Sequence, residues 1–203
     1  NYSVQPDIII SCGRKSVYLS LFLKNKYKNT INIHIQNPKI NFKKFDYVIA
    51  PDHDKIKGVN VINSLGALHK FNKSVIEHES SVNFNIPTKN LISIIIGGDN
   101  HHYKFSIKEI SDLKFKIINI KKSNPDYNFL ILTSRRTNTI IQNKLKKDFK
   151  NIAIVWLDNK KNPYTFALKY SIFFIVTSDS TSMISECAFT GKPIFIFHLP
   201  FKR

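Results

Sequence analysis

Glycine, arginine and serine residues that suit phosphate binding follow three apolar runs of the chain, with carboxylates beside them, at the points where those runs stop. They are Gly97, Gly98 and Asp99 after the run 91–96, Arg135 and Arg136 after 129–132, and Asp179, Ser180 and Ser182 after 172–176. Backbone N–H groups at glycine turns and helix starts bind phosphate, and arginine holds it with paired hydrogen bonds. These residue types therefore predict an anion-binding site formed by loops that are far apart along the chain.

Each of these features also has a purely structural interpretation. Paired glycines occur in plain turns, two arginines often lie on a solvated surface, and Ser180 and Ser182 suit the capping of a following helix. We favour ligand binding because the three loops are expected at the same edge of one sheet. Glu186 stands one turn after Ser182 and is the candidate for binding a sugar or ribose hydroxyl pair, the alternative being a solvated helix carboxylate.

The first part of the chain holds a second set of candidates, for the binding of an acceptor. Gly13 permits a tight turn after the strand predicted over 7–11, and Arg14 and Ser16 stand where an anion would meet the following helix. An ordinary β–α turn with solvated bases fits this pattern equally well. The spacing matches neither a P-loop nor a G-x-G-x-x-G sequence, so it predicts no nucleotide fingerprint.

A histidine between two carboxylates follows the apolar run 45–50, in the segment Asp52-His53-Asp54. A neighbouring carboxylate orients and charges an imidazole, so His53 and Asp54 are the candidates for a catalytic general base. More often such a cluster merely caps a loop. We predict no metal site, because the adjacent His101 and His102 would point in different directions on a helix or strand.

The elements that must position these residues alternate between apolar runs and helical patterns. Strands are predicted over 7–11, 31–35, 45–50, 59–62, 91–96, 129–132, 152–156, 172–176 and 194–197. Helices are predicted over 16–27, 73–79, 106–122, 137–147, 163–170 and 180–190. Apolar strands separated by helices are typical of parallel sheets covered on both faces. The polar segment 80–90 is the predicted boundary of an α/β chain with two Rossmann-like halves, 1–86 and 87–203, and a ligand cleft between them.

Composition and charge narrow the class of protein. Of the 203 residues 42% are hydrophobic, which excludes a disordered chain, and the formal net charge is +17. Lysines scattered over solvated faces explain most of this charge, whereas attraction to nucleotide phosphates, an anionic membrane or nucleic acid is the sharper interpretation. The lysine patch at 144–150 lacks interleaved aromatic residues, so we expect no specific nucleic-acid partner.

Cysteine use and hydropathy bear on the compartment in which the chain works. Cys12 and Cys187 form neither a metal-ligand spacing nor a disulfide framework, which fits a reducing compartment. No apolar run approaches the roughly 18 residues of a membrane span, and no signal peptide is visible. We therefore expect a cytoplasmic protein, and we expect any contact with a membrane to be peripheral. Because the chain starts at Asn1 and stops just after a predicted strand, we also expect further residues at both ends.

Several short motifs occur in one order along the chain. They are the segment 46–54, Gly66-Ala-Leu-His69, Ile96-Gly-Gly98, Thr133-Ser-Arg-Arg-Thr137, Asn162-Pro-Tyr164, the segment 177–188 and Gly191-Lys-Pro193. Together they resemble the "elongated mitochondria" family of mitochondrial fission factors, which includes a plant factor and many bacterial relatives. The likeness covers nearly all of the chain, and the ordered set is specific although each motif alone is weak.

The resemblance implies a fold similar to the GT-B glycosyltransferases, with two Rossmann-like halves. We expect the second half to bind a nucleotide-sugar as substrate, without a metal or cofactor. Gly97, Gly98 and the helix start at Ser180 would receive its diphosphate. Arg135 or Arg136 would offset the charge of the leaving group. The general-base candidates of the first half would activate the acceptor.

The alternative is a non-enzymatic adaptor on the same scaffold. Its basic surface would sit on an anionic membrane and recruit a dynamin-like or division protein in membrane fission. Such binding would weaken as the salt concentration rises, because exposed charges are screened.

Overall fold

The computed structural model describes residues 4–157 and 161–202, and the chain divides by its internal contacts into two units, Asn1–Leu68 and His69–Arg203. The elements of the first unit are β1 Ile8–Cys12, α1 Val17–Lys26, β2 Ile31–Ile35, β3 Tyr47–Pro51 and β4 Val61–Ser64. The strands are parallel and lie in the order β1-β2-β3-β4. The turns after β1 and β3 therefore lie at the same edge of this sheet.

The core of the first unit lies between α1 and one face of its sheet. Val17 of α1 packs there with Phe45 and with Val48 of β3. Burial alternates along β1, so Ile8 and Ile10 stand on the opposite face and are exposed. Within this unit a single face of the sheet carries the hydrophobic core.

The second unit is built on a parallel five-stranded sheet with the strand order β7-β6-β5-β8-β9. Its elements are α2 Lys73–Glu77, β5 Leu91–Ile96, α3 Ile107–Ser123, β6 Asn128–Thr133, α4 Thr139–Phe149, β7 Ile154–Trp156, α5 Tyr164–Tyr170, β8 Ser171–Thr177, α6 Thr181–Ala188 and β9 Ile194–Phe197. Across both units, no helix within the described ranges has the length and apolar character needed to span a membrane. The central strand β5 pairs with β6 and β8, so the carboxyl ends of these three strands lie side by side.

The central strand forms where it does because all of its side chains are buried, on both faces of the sheet. On one face Ile94 and Ile96 belong to a core that includes residues of α3 and α4. On the other face Leu91 and Ile95 belong to a core that includes residues of α5 and α6. Full burial of each such side chain contributes about 1.5–3 kcal/mol, so β5 fixes both helix layers relative to the sheet.

The predicted α/β architecture with two parallel sheets is confirmed, and every predicted strand and helix is present within the described residues. The bounds differ by a few residues, as in the helix predicted over 180–190. The α6 helix ends at Ala188, where the Thr190 hydroxyl donates to the Cys187 carbonyl over 2.7 Å and Gly191 takes a φ of 72°. This left-handed position turns the chain back toward β9.

Residues 69–86 pack with the second unit. Phe71 and Ile86 are buried in the same core as α5. The Lys169 ammonium donates to the carbonyl oxygens of Glu77 and Glu79, at the end of α2, over 2.7 and 2.6 Å. The division by contacts therefore falls after Leu68, whereas the sequence places its boundary at 80–90.

A buried polar cluster joins α1 to the first sheet. The Ser11 hydroxyl lies 2.8 Å from His34 Nδ1, and the Ser20 hydroxyl donates to the Asn32 side-chain oxygen over 2.6 Å. His34 is fully buried against Phe45, and its Nε2 atom has no hydrogen-bond partner among the described residues. Burial lowers the pKa of His34, because a charged imidazole would lose hydration there.

We predict that acid loosens the first unit through His34. Because burial holds the folded-state pKa of His34 below its unfolded value of about 6.5, the stabilising contribution of the neutral ring is complete above that pH and is lost as the pH falls below it. Relative to intrinsic rates, hydrogen exchange of the β2 amides should accelerate as the pH falls from about 7 to about 5. His34→Gln should flatten this dependence.

Trp156 fluorescence provides the control for this experiment. The single tryptophan of the chain lies in the second unit, so its signal reports on a unit that does not contain His34. The same pH dependence of β2 exchange in the wild type and in His34→Gln would contradict the role assigned to His34.

Candidate functional site

The loops that follow β5, β6 and β8 meet at the carboxyl edge of the second sheet. The Gly98 N–H donates to Asp179 Oδ2 over 3.1 Å, which joins the β5 and β8 loops. The Ser134 hydroxyl donates to the Gly97 carbonyl over 3.1 Å, which joins the β5 and β6 loops. The structure therefore brings together the three loops in which the sequence predicts an anion site, and we call this edge the rim of the second sheet.

The Asp179 carboxylate lies inside the rim and does not face solvent. Its side chain is 0% exposed and pairs with the Arg136 guanidinium over 2.7 Å. The Thr177 hydroxyl donates to Oδ1 over 2.6 Å, and the Gly98 N–H donates to Oδ2. Asp179 is therefore an internal anion whose hydrogen-bonding capacity is met by three donors of the protein. The sequence predicts instead that it contacts the ligand.

The two glycines after β5 allow a close approach between loops. A Cβ at Gly97 would overlap the Asp179 carboxylate, and a Cβ at Gly98 would overlap the Arg136 carbonyl. The Gly97 N–H donates to the Thr177 hydroxyl over 2.9 Å, as the Gly98 N–H does to Asp179. Both N–H groups are thus used within the protein, and the expectation that they are open to a diphosphate does not match this geometry.

The two arginines of the β6 loop have different surroundings. Arg136 is bound to Asp179, as described above. Arg135 is exposed and makes no ion pair among the residues that the structure describes. Arg135 also lines a cavity at the rim, so it is the guanidinium that a ligand would meet first.

The start of α6 offers further donors beside this cavity. The N-cap residue Ser180 makes no side-chain hydrogen bond to the first turn, and Ser182 is exposed. The first N–H groups of a helix have no partner within the helix and lie at the positive end of its dipole. An anion at this position would therefore meet donors that no side chain of the described residues caps.

A cavity of about 330 Å³ opens at the rim, and we call it the rim pocket. Its lining residues are Ile95, Ile96, Leu132, Thr133, Ser134, Arg135, Asn162, Tyr164, Met183 and Glu186. The Tyr164 hydroxyl donates to Glu186 Oε2 over 2.7 Å. Burial, with Cys187 and Glu186 nearby, raises the pKa of Tyr164 far above its ordinary value, so the phenol stays a donor and orients the carboxylate.

Tyr164 and Asn162 line the rim pocket although the sequence does not single them out for binding. The sequence treats Asn162-Pro163-Tyr164 only as a helix start, and α5 does begin at Tyr164. The sequence feature that could have identified them as binding candidates is the position of this segment, which directly precedes the helix that leads into β8. A second and larger groove, of about 1290 Å³, lies between α3 and β9. The rim pocket is the candidate site because it lies at the carboxyl ends of the strands, where open α/β sheets bind their ligands.

Asp99 and Lys192 serve as structural anchors, Asp99 in the loop after β5 and Lys192 at the opposite edge of the sheet, before β9. The Phe105 N–H donates to Asp99 Oδ1 over 2.5 Å, and the Lys202 ammonium lies 3.4 Å from Oδ2. The Lys192 ammonium donates to the carbonyls of Leu168 and Lys169 at the end of α5, over 2.7 and 2.6 Å. Ligand contact through Asp99 therefore stays a prediction, and Lys192 has a sufficient role in capping a helix.

The acceptor-side candidates lie at the carboxyl edge of the first sheet. Gly13 and Arg14 follow β1, and Arg14 is exposed. The Ser16 hydroxyl donates over 2.9 Å to the carbonyls of both Cys12 and Gly13, so it closes the turn rather than pointing toward a ligand.

The catalytic candidates occupy the short turn after β3. His53 is exposed, and no hydrogen bond joins it to its flanking carboxylates among the described residues. Asp54 lies 3.9 Å from the Lys39 ammonium. Their role as a general base stays a prediction. In the described part of the chain no group of three or more His, Cys, Asp or Glu is placed to hold a metal ion.

Comparison with known sequences connects this chain to mitochondrial fission proteins. A family model described as mitochondrial fission ELM1 matches residues 2–203. An uncharacterised protein of Rickettsia prowazekii is 30% identical, over 96% of this chain and 65% of its own length. The mitochondrial fission protein ELM1 of Arabidopsis thaliana is 24% identical, over 94% of this chain and 51% of its own length. The chain thus spans between about half and two thirds of these relatives.

Comparison with solved structures identifies the fold. The UDP-GlcNAc 2-epimerase of Neisseria meningitidis, solved with UDP-GlcNAc bound, aligns with a TM-score of 0.57 and 14% identity, over 94% of this chain and 59% of its own. The enzyme of Methanocaldococcus jannaschii, in complex with UDP-GlcNAc and UDP, aligns with a TM-score of 0.57 and 13% identity, over 94% and 60%. At this identity the likeness shows the fold alone, which is GT-B-like.

The family match covers nearly the whole chain, and it agrees with the ordered motifs of the sequence. The chain therefore belongs to the mitochondrial fission ELM1 family.

Proposed function

We propose that the second unit binds a nucleoside-diphosphate sugar in the rim pocket, as the donor site of a GT-B-type glycosyltransferase. One observation carries the proposal: the Glu186 carboxylate is oriented by Tyr164 beside the exposed Arg135 and the uncapped start of α6. A carboxylate accepts hydrogen bonds from hydroxyl pairs, and a guanidinium binds phosphate. The fold shared with two epimerases solved with UDP-GlcNAc supports this class of ligand.

Each part of the ligand has a matching group at the rim. The Glu186 oxygen that does not bind Tyr164 accepts from the ribose hydroxyls. Arg135 and the N–H groups at the start of α6 receive the diphosphate, and they stabilise the negative charge that develops on it as the sugar leaves. The proposal needs no metal or other cofactor, because these positive groups perform the neutralisation.

The first unit supplies the acceptor side in this proposal. The acceptor binds near Gly13 and Arg14, and His53 or Asp54 removes the proton from its hydroxyl group. A general base must reach the proton it removes, and exposure leaves His53 accessible.

We predict that the full-length protein binds nucleoside diphosphates in isothermal titration calorimetry. Arg135→Gln should weaken the binding by about tenfold or more, because a hydrogen bond to a charged group contributes about 1.5–3 kcal/mol. Lys146→Gln, which removes the same charge from an exposed position on α4, should leave the affinity within about twofold of the wild type. Absence of binding to every nucleoside diphosphate would remove the proposal.

Replacement of Glu186 tests the hydroxyl contact separately. The wild type should bind UDP several-fold more tightly than 2′-deoxy-UDP, since the carboxylate accepts from the ribose hydroxyls. Glu186→Gln should reduce this preference, because the side-chain amide offers one weaker acceptor in place of a charged one. The measurement is competition calorimetry with both nucleotides, and an unchanged ribose preference in Glu186→Gln would show that the hydroxyls bind elsewhere.

The second candidate function is that of a membrane-surface adaptor that recruits a division protein. The formal charge of +17 favours it, as does membership of a family that includes a mitochondrial fission protein. Anionic lipid surfaces attract basic proteins with about 1 kcal/mol per nearby Lys or Arg.

Vesicle flotation separates the two candidates. An adaptor of this type should bind phosphatidylserine vesicles at low salt and lose most of that binding near 0.5 M NaCl, where charges are screened over roughly 4 Å. Combined replacement of Arg135 and Glu186 by Gln should not change this binding. Equal binding to neutral and anionic vesicles would contradict the adaptor.

A further inference from the structure

We propose that Asp179 is the specificity-determining residue of the rim, because it occupies the glycine turn as an internal anion and keeps Arg136 from the ligand. The inference rests on the proposed function and deepens it by stating how the site selects among anions. Inorganic phosphate and pyrophosphate bind weakly, so a nucleotide is selected through its nucleoside as well as its charge.

The contacts show that Asp179 takes the position of an anion. It accepts from the backbone N–H of Gly98, from the hydroxyl of Thr177 and from the guanidinium of Arg136. A backbone N–H at a glycine turn together with an arginine is the donor set that a bound phosphate uses. With its side chain 0% exposed, Asp179 fills that donor set from inside the protein.

Arg136 is the group that this arrangement withholds. Its side chain is 39% exposed, so the guanidinium lies at the boundary between Asp179 and solvent. If Arg136 moved away, the buried Asp179 carboxylate would lose its ion-pair partner, which is strongly unfavourable. In the wild type, therefore, Arg136 stays with the carboxylate while Arg135 binds the ligand.

The charges of the rim cancel as a result. Arg135 and Arg136 are balanced by Asp179 and Glu186, so the formal charge of these four groups is zero. The positive end of α6 adds only about half an elementary charge. A small polyanion such as pyrophosphate gains little from a site with so little net charge.

Replacement of Asp179 by Asn releases the arginine. The amide is nearly the same size. Its oxygen, in the place of Oδ2, accepts from the Gly98 N–H, and its NH2 group, in the place of Oδ1, donates to the Thr177 hydroxyl oxygen, so the loops keep their connections. It carries no charge to hold the guanidinium. Arg136 then turns toward solvent and becomes available to an anion, and the rim gains one positive charge.

The test is calorimetry with inorganic pyrophosphate on four forms of the full-length protein: wild type, Asp179→Asn, Arg136→Gln and the double variant. Asp179→Asn should bind pyrophosphate about tenfold more tightly than the wild type, and the double variant should lose that gain. Arg136→Gln alone should not raise the affinity, because it leaves the Asp179 charge unpaired and the rim more negative, whereas the double variant restores the charge balance of the wild type and should bind within about twofold of it.

Two outcomes overturn the inference: no gain in Asp179→Asn, or a gain that persists in the double variant. If Asp179→Asn does not fold in a thermal melt, the double variant decides, because its rim has the same net charge as that of the wild type. A pyrophosphate affinity within about twofold of the wild type supports the inference, and a tenfold loss of affinity contradicts it. Failure of the wild type to bind any nucleotide would remove the proposed function while an Arg136-dependent gain in Asp179→Asn would still support the internal anion.

Discussion

Burial of the Asp179 carboxylate costs several kcal/mol of hydration free energy, and its three donors must offset that cost. Those donors come from the ends of β5, β6 and β8, so the loops can satisfy the charge only when all three are in place. Removing one partner of a buried ion pair typically costs about 3–5 kcal/mol. The geometry of the candidate site therefore depends on this one interaction more than on any contact to a ligand.

The parallel sheet makes that interaction possible. Because β6 and β8 flank β5 in the same direction, residues that are 37 to 81 positions apart along the chain come within hydrogen-bond distance. The two hydrophobic cores on either face of β5 hold the strand ends rigidly, and loops on a rigid scaffold are well suited to binding. Gly97 and Gly98 have no side chains where the loops touch, and this allows the close approach.

Much of the fold could be predicted from the sequence, since it follows from local patterns. The unbroken apolar run 91–96 identifies the central strand, and the alternation with helices predicts parallel sheets. Parallel order in turn predicts that the loops after β5, β6 and β8 converge. Residues 69–86 are harder, because a polar segment with two buried anchors, Phe71 and Ile86, does not reveal which core it joins.

The use made of each polar group could not be predicted in the same way. Residue types give the available donors and acceptors, but only the fold decides that the N–H of Gly98 meets Asp179 and that Tyr164 meets Glu186. The sequence therefore leaves Arg135 and Arg136 equivalent, and the ion pair distinguishes them. The roles of His53 and Asp54 remain predictions, since their chemistry depends on an acceptor.

The most direct measurement is a crystal structure of the complete protein with UDP bound. We expect electron density for the ribose at Glu186 and for the diphosphate between Arg135 and the start of α6, with the Arg136–Asp179 pair intact. Density for the nucleotide away from the rim pocket, or Arg136 turned from Asp179 onto the diphosphate, would contradict it.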